Sequence, residues 1–298
     1  MMKVATIQSR TGCRNDRLFI CGIIVPAMIY FSVFVFYPFL TNFLYMFCKY
    51  NYISAPKWVG MRNIVHFFED SVVHQAFMNT FIITLISVPL MLVLAVLTAN
   101  ALFNMRWGKQ FFRSAIFSTY LTSLIVAAIV FKSFFGSELG FVNGVVRQLH
   151  LMPIPWLSQP GTAMLVVILL SVWKYLGYYV VVLLAGFSNV DGALFEAGKI
   201  DGASGAQIFR YTTLPQLKPT LVYSSIIASI SFLRTYSTVL VLTKGGPYSS
   251  TQTVLMYMFD QGFQSLNVGY ASVIAVALFL IILALTLVQS RVSSLLAD

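Results

Sequence analysis

Six long apolar blocks restrict this chain to folds that can cross a lipid bilayer. A transmembrane helix needs about 20 predominantly apolar residues, and the blocks that meet this requirement cover approximately residues 18–48, 75–103, 113–135, 162–187, 220–242 and 266–289. A helix satisfies its own backbone hydrogen bonds in lipid. The sequence therefore predicts an all-α, polytopic membrane protein with six transmembrane helices, forming one domain over residues 1–298.

The composition excludes the common soluble classes. Hydrophobic residues make up 58% of the chain and charged residues only 9%, whereas soluble domains are about 25% charged. A cytosolic enzyme needs more surface charge, and a disordered chain needs lower hydrophobicity. The three cysteines have no CxxC spacing and the three histidines form no HExxH-type pair, so no metal site or disulfide framework is expected.

The distribution of Lys and Arg predicts the orientation in the membrane. Basic residues concentrate in the N-terminal tail (1–17), between blocks two and three, between blocks four and five, and after block six. By the positive-inside rule, these segments and both termini are cytoplasmic in a cell (inner) membrane. The net charge of +10 arises from single basic residues between apolar blocks, which suits topology signalling and predicts no nucleic-acid partner.

The apolar blocks contain no Asp or Glu. Ion-coupled transporters usually keep an intramembrane carboxylate because such a costly group is retained for function. Its absence disfavours a secondary transporter and a cation channel with an acidic ring. The chain also lacks the GxxxxGK[ST] pattern, so it has no P-loop for ATP.

Two helical faces are candidates for a polar pathway. They comprise Ser171, Lys174, Tyr175 and Tyr178 in block four, and Ser225, Ser229, Phe232 and Tyr236, with Arg234 nearby, in block five. Hydroxyls and aromatic rings suit a neutral polyhydroxylated solute, but helix packing uses the same residues. Lys174 and Arg234 could contact a polar ligand, snorkel to the interface, or pair with a carbonyl of a neighbouring helix.

The gap at about residues 188–218 is predicted to form two short helices joined by a turn. The signals are an N-cap at Asp191, a left-handed turn at Gly202, a capping box at Ser204 and Gln207, and stops at Pro215 and Pro219. Leu194, Ala197 and Gly198 share a small apolar face. This face fits either an interfacial hairpin or a docking site for a cytosolic partner.

This loop resembles the EAA loop of ABC importer permeases. The resemblance rests on Glu196-Ala197-Gly198, Gly202 and Leu214-Pro215. Further elements resemble the sugar-permease version in the same order: residues 58–60 with Asn63, residues 200–204, residues 242–247 (Leu-Thr-Lys-Gly-Gly-Pro) and residues 268–272 (Val-Gly-Tyr-Ala-Ser). The departures from the pattern are Asp191 for Pro, Gly198 for Ala, Thr212 for Ile, and Tyr236-Ser237 for Phe-Asp.

The resemblance implies a permease subunit of a binding-protein-dependent ABC importer of the carbohydrate-uptake type. Its implied partners are a second, related permease, two ATPase subunits that bind ATP and Mg²⁺, and an extracytoplasmic solute-binding protein; the chain itself needs no cofactor and performs no covalent chemistry. The implied solute is a sugar, an oligosaccharide or a related polyol. Glycerol phosphate as the solute, a secondary transporter, and a structural or receptor membrane protein remain alternatives.

The same resemblance implies which loop residues contact the ATPase. They are Glu196, Ala197, Gly198, Asp201, Gly202, Ala203, Leu214 and Pro215. Glu196 would be the charged anchor and Ala197 the close-packing residue. Gly202 would form the turn, and Leu214 with Pro215 would close the motif.

Overall fold

The computed structural model describes residues 12–137, 140–190 and 192–295, and most of them are helical. Side chains are described for residues 22–292 of these ranges, except Phe195. Most of the predicted N-terminal tail and the predicted N-cap Asp191 therefore lie outside the described residues.

The helices follow one another along the chain with short connections. In the first half they are α1 Gly12–Phe31, α2 Tyr37–Tyr45, α3 Arg62–Glu69, α4 Ser71–Asn104, α5 Lys109–Leu121, α6 Leu124–Phe134 and α7 Phe141–Gln148. In the second half they are α8 Pro160–Ser188, α9 Gly192–Ile200, α10 Gly205–Ile208, α11 Leu214–Gln216, α12 Lys218–Leu233, α13 Ser237–Leu242, α14 Val254–Phe259 and α15 Val268–Leu295. Wider π-helical turns cover Ser32–Phe36, Phe209–Thr213 and Asp260–Gln264.

Four helices in the described part of the chain are long and apolar enough to cross a membrane. They are Gly22–Tyr45, α4, α8 and Val268–Val292. They correspond to predicted blocks one, two, four and six. The other two blocks differ from the prediction of six continuous spans.

The third predicted span is bent. Helices α5 and α6 meet at an angle of 94°, so the chain has up to five candidate spans if the pair counts as one. Hydroxyl side chains precede the bend and bond to the carbonyls of their own helix: Ser118 Oγ donates to Ala115 O at 2.7 Å and Thr122 Oγ1 to Ser118 O at 2.9 Å. Such back-bonding bends helices. The length and apolar content of a sequence block, from which the span was predicted, do not reveal it.

The fifth predicted span is interrupted. Helix α12 has 16 residues and ends at Leu233, and α13 begins only at Ser237. Between them, Tyr236 adopts φ −135° and ψ −65°, outside the helical region. The hydroxyl of Thr253 donates to the free carbonyl of Thr235 at 2.7 Å, which satisfies the broken backbone.

A short strand pair is the exception to the predicted all-α fold. Cys48–Lys49 pairs antiparallel with Lys57–Trp58. The amide of Asn63 donates to Met46 O at 3.0 Å and to Cys48 O at 2.9 Å. Helix α15 approaches the Cys48 carbonyl so closely that a Cβ at Gly269 would overlap its oxygen. Two sequence elements of the resemblance thus meet at one structural junction.

The core lies where α4, α8 and α12 pack together. Its fully buried side chains include Ile83, Met91, Leu170, Leu183 and Phe232. Helix α5 packs on α8 at Gly177, where a Cβ would overlap the carbonyl oxygen of Ile116. The glycine therefore permits the close approach of two backbones.

Asp70 joins the start of α4 to α14 and α15. Its carboxylate accepts the hydroxyl protons of Tyr257 and Tyr270, both at 2.6 Å, and the backbone N–H of Val72 at 2.8 Å. Burial alone would raise the pKa of Asp70, but these bonds favour the charged form and lower the pKa below its ordinary value. The carboxylate is therefore both an N-cap and a tertiary link.

Candidate functional site

The loop segment, defined as residues 192–217, contains the turn that the sequence predicts. Helix α9 ends where Gly202 takes a left-handed φ of 74°. The N–H of Ala203 donates to Gly198 O at 2.9 Å and that of Gly202 to Lys199 O at 3.1 Å. These two bonds form a Schellman motif, so the predicted role of Gly202 in ending the first helix is confirmed.

The second part of the loop segment begins with the predicted capping box. The Ser204 N–H donates to Gln207 Oε1 at 2.7 Å, and the Gln207 N–H donates to Ser204 Oγ at 3.4 Å. The predicted stop at the two prolines is wrong. Pro215 and Pro219 lie in the first turns of α11 and α12, where a missing N–H costs nothing. The helical path therefore continues towards the membrane.

Most of the predicted contact residues of the loop segment are exposed at the surface of the chain. Glu196, Ala197, Asp201, Gly202, Leu214 and Pro215 are exposed, whereas Gly198 and Ala203 are half-buried. Large apolar side chains accompany them: Ile200 is 86% exposed and Tyr211 72%. Gly198 differs because it faces inward, where an added Cβ would lie 3.2 Å from Ile208 Cγ1.

Lys174 bonds to the backbone at the bend between α5 and α6. Its ammonium donates to the carbonyl oxygens of Thr119 at 3.2 Å, Tyr120 at 2.6 Å and Thr122. It also lies 5.5 Å from the centre of the Tyr120 ring. Of the three interpretations of Lys174, pairing with carbonyls of a neighbouring helix is the one that the structure shows.

The two predicted pathway faces meet in part. The Tyr175 ring lies 5.6 Å from the Phe232 ring, and Tyr178 lies 5.1 Å from Tyr120. Phe232 and Ser171 are buried within the chain, whereas Tyr175 and Tyr178 are half-buried. The faces therefore contain both packing residues and rings that remain partly accessible.

The remaining pathway candidates separate at the break after α12. Buried Ser229 donates to Ser225 O at 2.8 Å and accepts from Gln289 Nε2 at 3.0 Å, which connects α12 to α15. Arg234 is exposed, and the Tyr236 ring lies 5.3 Å from the Phe259 ring. Because Tyr236 follows the end of α12, it does not continue the helical face of Ser229 and Phe232, contrary to the prediction. The role of these residues in a pathway stays a prediction.

Sequence reasoning missed Tyr120. Its ring touches Lys174, Tyr175 and Tyr178, so it lies at the centre of the aromatic group. The hydroxyl-rich run 118–123 inside an apolar block was the available signal. Among the residues that the structure describes, no three His, Cys, Asp or Glu side chains form a group that could hold a metal ion.

Several curated proteins are similar to this chain over most of its length. A sulfoquinovosyl glycerol transport system permease protein, SmoG of Agrobacterium fabrum, is 32% identical over 93% of this chain and 91% of its own. A lactose transport system permease protein, LacF of Rhizobium radiobacter, is 31% identical over 89% and 91% of the two chains. An arabinooligosaccharides transport system permease protein, AraP of Bacillus subtilis, is 30% identical over 90% and 86%.

A solved structure has the same fold. It is the crystal structure of a bacterial ABC transporter involved in the import of the acidic polysaccharide alginate. One of its chains matches with a TM-score of 0.85 over 96% of this chain and 98% of that chain, at 20% sequence identity. The overall fold, including the helices on both sides of the α5–α6 bend and of the break after α12, is therefore one that a solved structure already has.

A family model matches residues 71–297, which include every helix from α4 onward. It describes the binding-protein-dependent transport system inner membrane component. The match covers most of the chain and agrees with the relatives, the fold and the resemblance of the loop segment. The chain belongs to this family, the inner-membrane permease components of ABC importers.

Proposed function

We propose that this chain and a second, related permease form the pathway by which a sugar, an oligosaccharide or a related polyol crosses the inner membrane. An extracytoplasmic binding protein delivers the solute, and two cytosolic ATPase subunits bind ATP and Mg²⁺. The chain contributes no covalent chemistry. Its loop segment and both termini face the cytoplasm, in agreement with the excess of Lys and Arg there.

The exposed surface of the loop segment is the observation that carries this proposal. Glu196 and Ala197 are both exposed on α9. Ile200 on the same helix and Tyr211 later in the loop segment are also largely exposed. Exposed large apolar side chains in the same segment as an exposed charge are typical of a protein-binding surface. ATP-driven closure of the ATPases would move this surface and open the pathway to either side in turn.

The solute class rests on the relatives. The names of SmoG, LacF and AraP describe permeases for sulfoquinovosyl glycerol, lactose and arabinooligosaccharides. The glycerol phosphate alternative relied on Lys174 or Arg234 as an anion partner. Since Lys174 is engaged by three carbonyls, only Arg234 remains for that role, which favours a sugar.

Glu196→Lys tests the coupling role. It places a cation where a carboxylate is proposed to meet a basic partner, and losing one member of such a pair costs about 2–5 kcal/mol. The expected loss of ATPase affinity is roughly thirty- to several-thousand-fold. Co-purification of the ATPase and its stimulation by the binding protein measure the effect.

Lys199→Ala is the matched control, because it changes a charge on the same exposed helix outside the proposed contact. It should retain the ATPase. Gly202→Val should weaken the contact by a different route, since a β-branched residue resists a φ of 74°. Wild-type coupling in Glu196→Lys would contradict the proposed role of the loop segment but not the family assignment.

The pathway role of the half-buried rings is tested by uptake. If Tyr178 and Tyr236 face the solute, Tyr178→Ala and Tyr236→Ala should lower the transport rate while assembly with the ATPase persists. Phe259→Ala, which removes a ring that packs on Tyr236 and Phe263 but leaves Tyr236 itself in place, is the control. Normal uptake kinetics in both tyrosine variants would assign these rings to helix packing.

A further inference from the structure

A polar cavity lies where the ends of α4 and α8 meet the beginning of α5. Its volume is about 460 Å³, within the range of small-ligand sites. It is lined by Phe103, Lys109, Arg113, Val181, Leu184, Ala185, Ser188 and Asn189. Ser188 and Asn189 stand at the start of the predicted gap at about residues 188–218, but none of the lining residues belongs to the loop segment 192–217 or to the proposed pathway faces, so the cavity needs its own explanation.

The charge of this cavity is positive. Lys109 and Arg113 line it, and among the described residues no Asp or Glu does. The Lys109 ammonium is 3.5 Å from the carbonyl oxygen of Phe103 and 5.1 Å from the centre of its ring. Both partners are neutral, so the two positive charges remain available to an anion. Asn189 adds an amide donor, whereas the Ser188 hydroxyl already donates to Leu184 O at 3.0 Å.

The surroundings of the cavity have the features of a membrane interface. It lies at the ends of two helices that are long and apolar enough to span the membrane. Trp107 and Phe111 beside it are 88% and 72% exposed. Aromatic and basic side chains together are characteristic of the membrane interface. One wall of the cavity is apolar, formed by Val181, Leu184 and Ala185.

We propose that this cavity binds the phosphate group of an anionic phospholipid, with Lys109 and Arg113 as its anion partners. Basic pockets between transmembrane helices bind such headgroups. A free phosphate ion would satisfy the same charges. The lipid is the better occupant because the apolar wall would contact its glycerol and acyl carbons, which inorganic phosphate lacks. This site stands independently of the proposed transport function.

Native mass spectrometry of the full-length protein, with whatever subunits co-purify, tests the site. Phosphatidylglycerol is compared with phosphatidylcholine, and millimolar inorganic phosphate is added in a third arm. Wild-type protein should retain phosphatidylglycerol preferentially. Arg113→Gln and Lys109→Gln should each lower its affinity about fivefold, the contribution of one basic residue near an anionic headgroup.

Arg106→Gln is the matched control, because Arg106 is exposed in the same basic loop but does not line the cavity. It should leave the affinity almost unchanged. Equal losses in Arg106→Gln and Arg113→Gln would show diffuse attraction to the leaflet and overturn the site. Displacement of the lipid by inorganic phosphate would overturn the lipid as occupant. Loss of the ATPase from Arg113→Gln with unchanged lipid binding would make the cavity a protein contact and also overturn the proposal.

Discussion

A charged side chain at the α5–α6 bend and one in the loop segment have opposite surroundings. At the bend, Lys174 is buried and donates to three backbone carbonyls of the same chain. In the loop segment, Glu196 is exposed beside apolar side chains that are also exposed. The first charge bonds to the backbone of its own chain, and the second is exposed at the surface.

This difference shows why a charged residue in a membrane protein cannot be assigned from sequence alone. A Lys inside an apolar block has the cost that usually marks a functional site. Here the bent backbone supplies its partners, because a broken helix leaves carbonyls that need donors. The charge of Asp70 is also used within the fold, since its carboxylate accepts hydrogen bonds from two tyrosine hydroxyls and from a backbone N–H at the start of α4. Substitutions at these positions should therefore affect stability, whereas those at Glu196 should affect assembly.

Lys174→Met should give the largest loss of stability. It removes hydrogen bonds from a charged donor and leaves the part-buried carbonyls of Thr119 and Tyr120 without this partner. The expected decrease in the free energy of unfolding is about 3 kcal/mol, the upper end for hydrogen bonds to a charged group. Thermal unfolding of the purified protein in detergent measures it. Lys132→Met, which removes an exposed Lys from the last turn of α6, is the control and should remain close to wild type.

A Lys174→Met protein of normal stability that fails only in uptake would contradict the structural role of Lys174. It would return Lys174 to the pathway candidates. Lys174→Arg is a second test of that structural role, because a guanidinium keeps the charge and can still donate to carbonyls.

Asp70→Ala should have the next largest effect. The variant loses the N-cap of α4 and the acceptor for Tyr257 and Tyr270, at a cost of about 2–3 kcal/mol. Glu69→Ala, a change of the neighbouring exposed acid, should cost almost nothing. Unfolding temperatures of the two variants, measured side by side, provide the comparison. Equal effects would contradict the structural role of Asp70.

The acid dependence of stability gives a second measurement on Asp70. Its pKa in the folded protein lies below the ordinary value of 3.8, so the ionised form is stabilised by folding. This contribution is fully present above the ordinary pKa and is lost as the pH falls through the lower, folded-state pKa. Wild-type protein should therefore lose stability below about pH 4, and Asp70→Ala should lose less over the same interval.

The sequence predicted long helices well and changes of backbone direction poorly. Apolar blocks correspond to α4, α8 and α15 because the requirement for internal backbone hydrogen bonding applies to every residue in lipid. The bend at α5–α6 combines hydroxyl bonds within its own helix with a donor from α8, Lys174, and the break after α12 has a donor from elsewhere, Thr253. No periodicity within one block records a donor that comes from another helix.

Local signals in the loop segment were more informative. Gly202 and the pair Ser204 and Gln207 act over a few residues, so their roles could be predicted without knowing the tertiary structure. The stop predicted at Pro215 was wrong because a proline can follow the end of one helix or stand in the first turn of another. Its position relative to the first turn decides which of the two occurs. The contact surface for a partner was predicted from the family resemblance, since the chain itself does not contain its occupant.

Gly198→Ala should have the smallest effect and is the sharpest test of which face of α9 is internal. Alanine raises helix stability by about 1 kcal/mol over glycine. Its Cβ, however, would lie 3.2 Å from Ile208 Cγ1, so the net change in unfolding free energy should be below about 1 kcal/mol. Adding Ile208→Ala removes the Cγ1 atom and should relieve the contact, and a double-mutant cycle separates this gain from the cost of the truncation itself. Gly192→Ala, whose Cβ would meet no atom within 4 Å, is the control for altered helix propensity without a new contact. If Gly198→Ala weakens ATPase binding as strongly as Glu196→Lys, position 198 belongs to the outer surface, and the division between an inward Gly198 and an outward Glu196 is wrong.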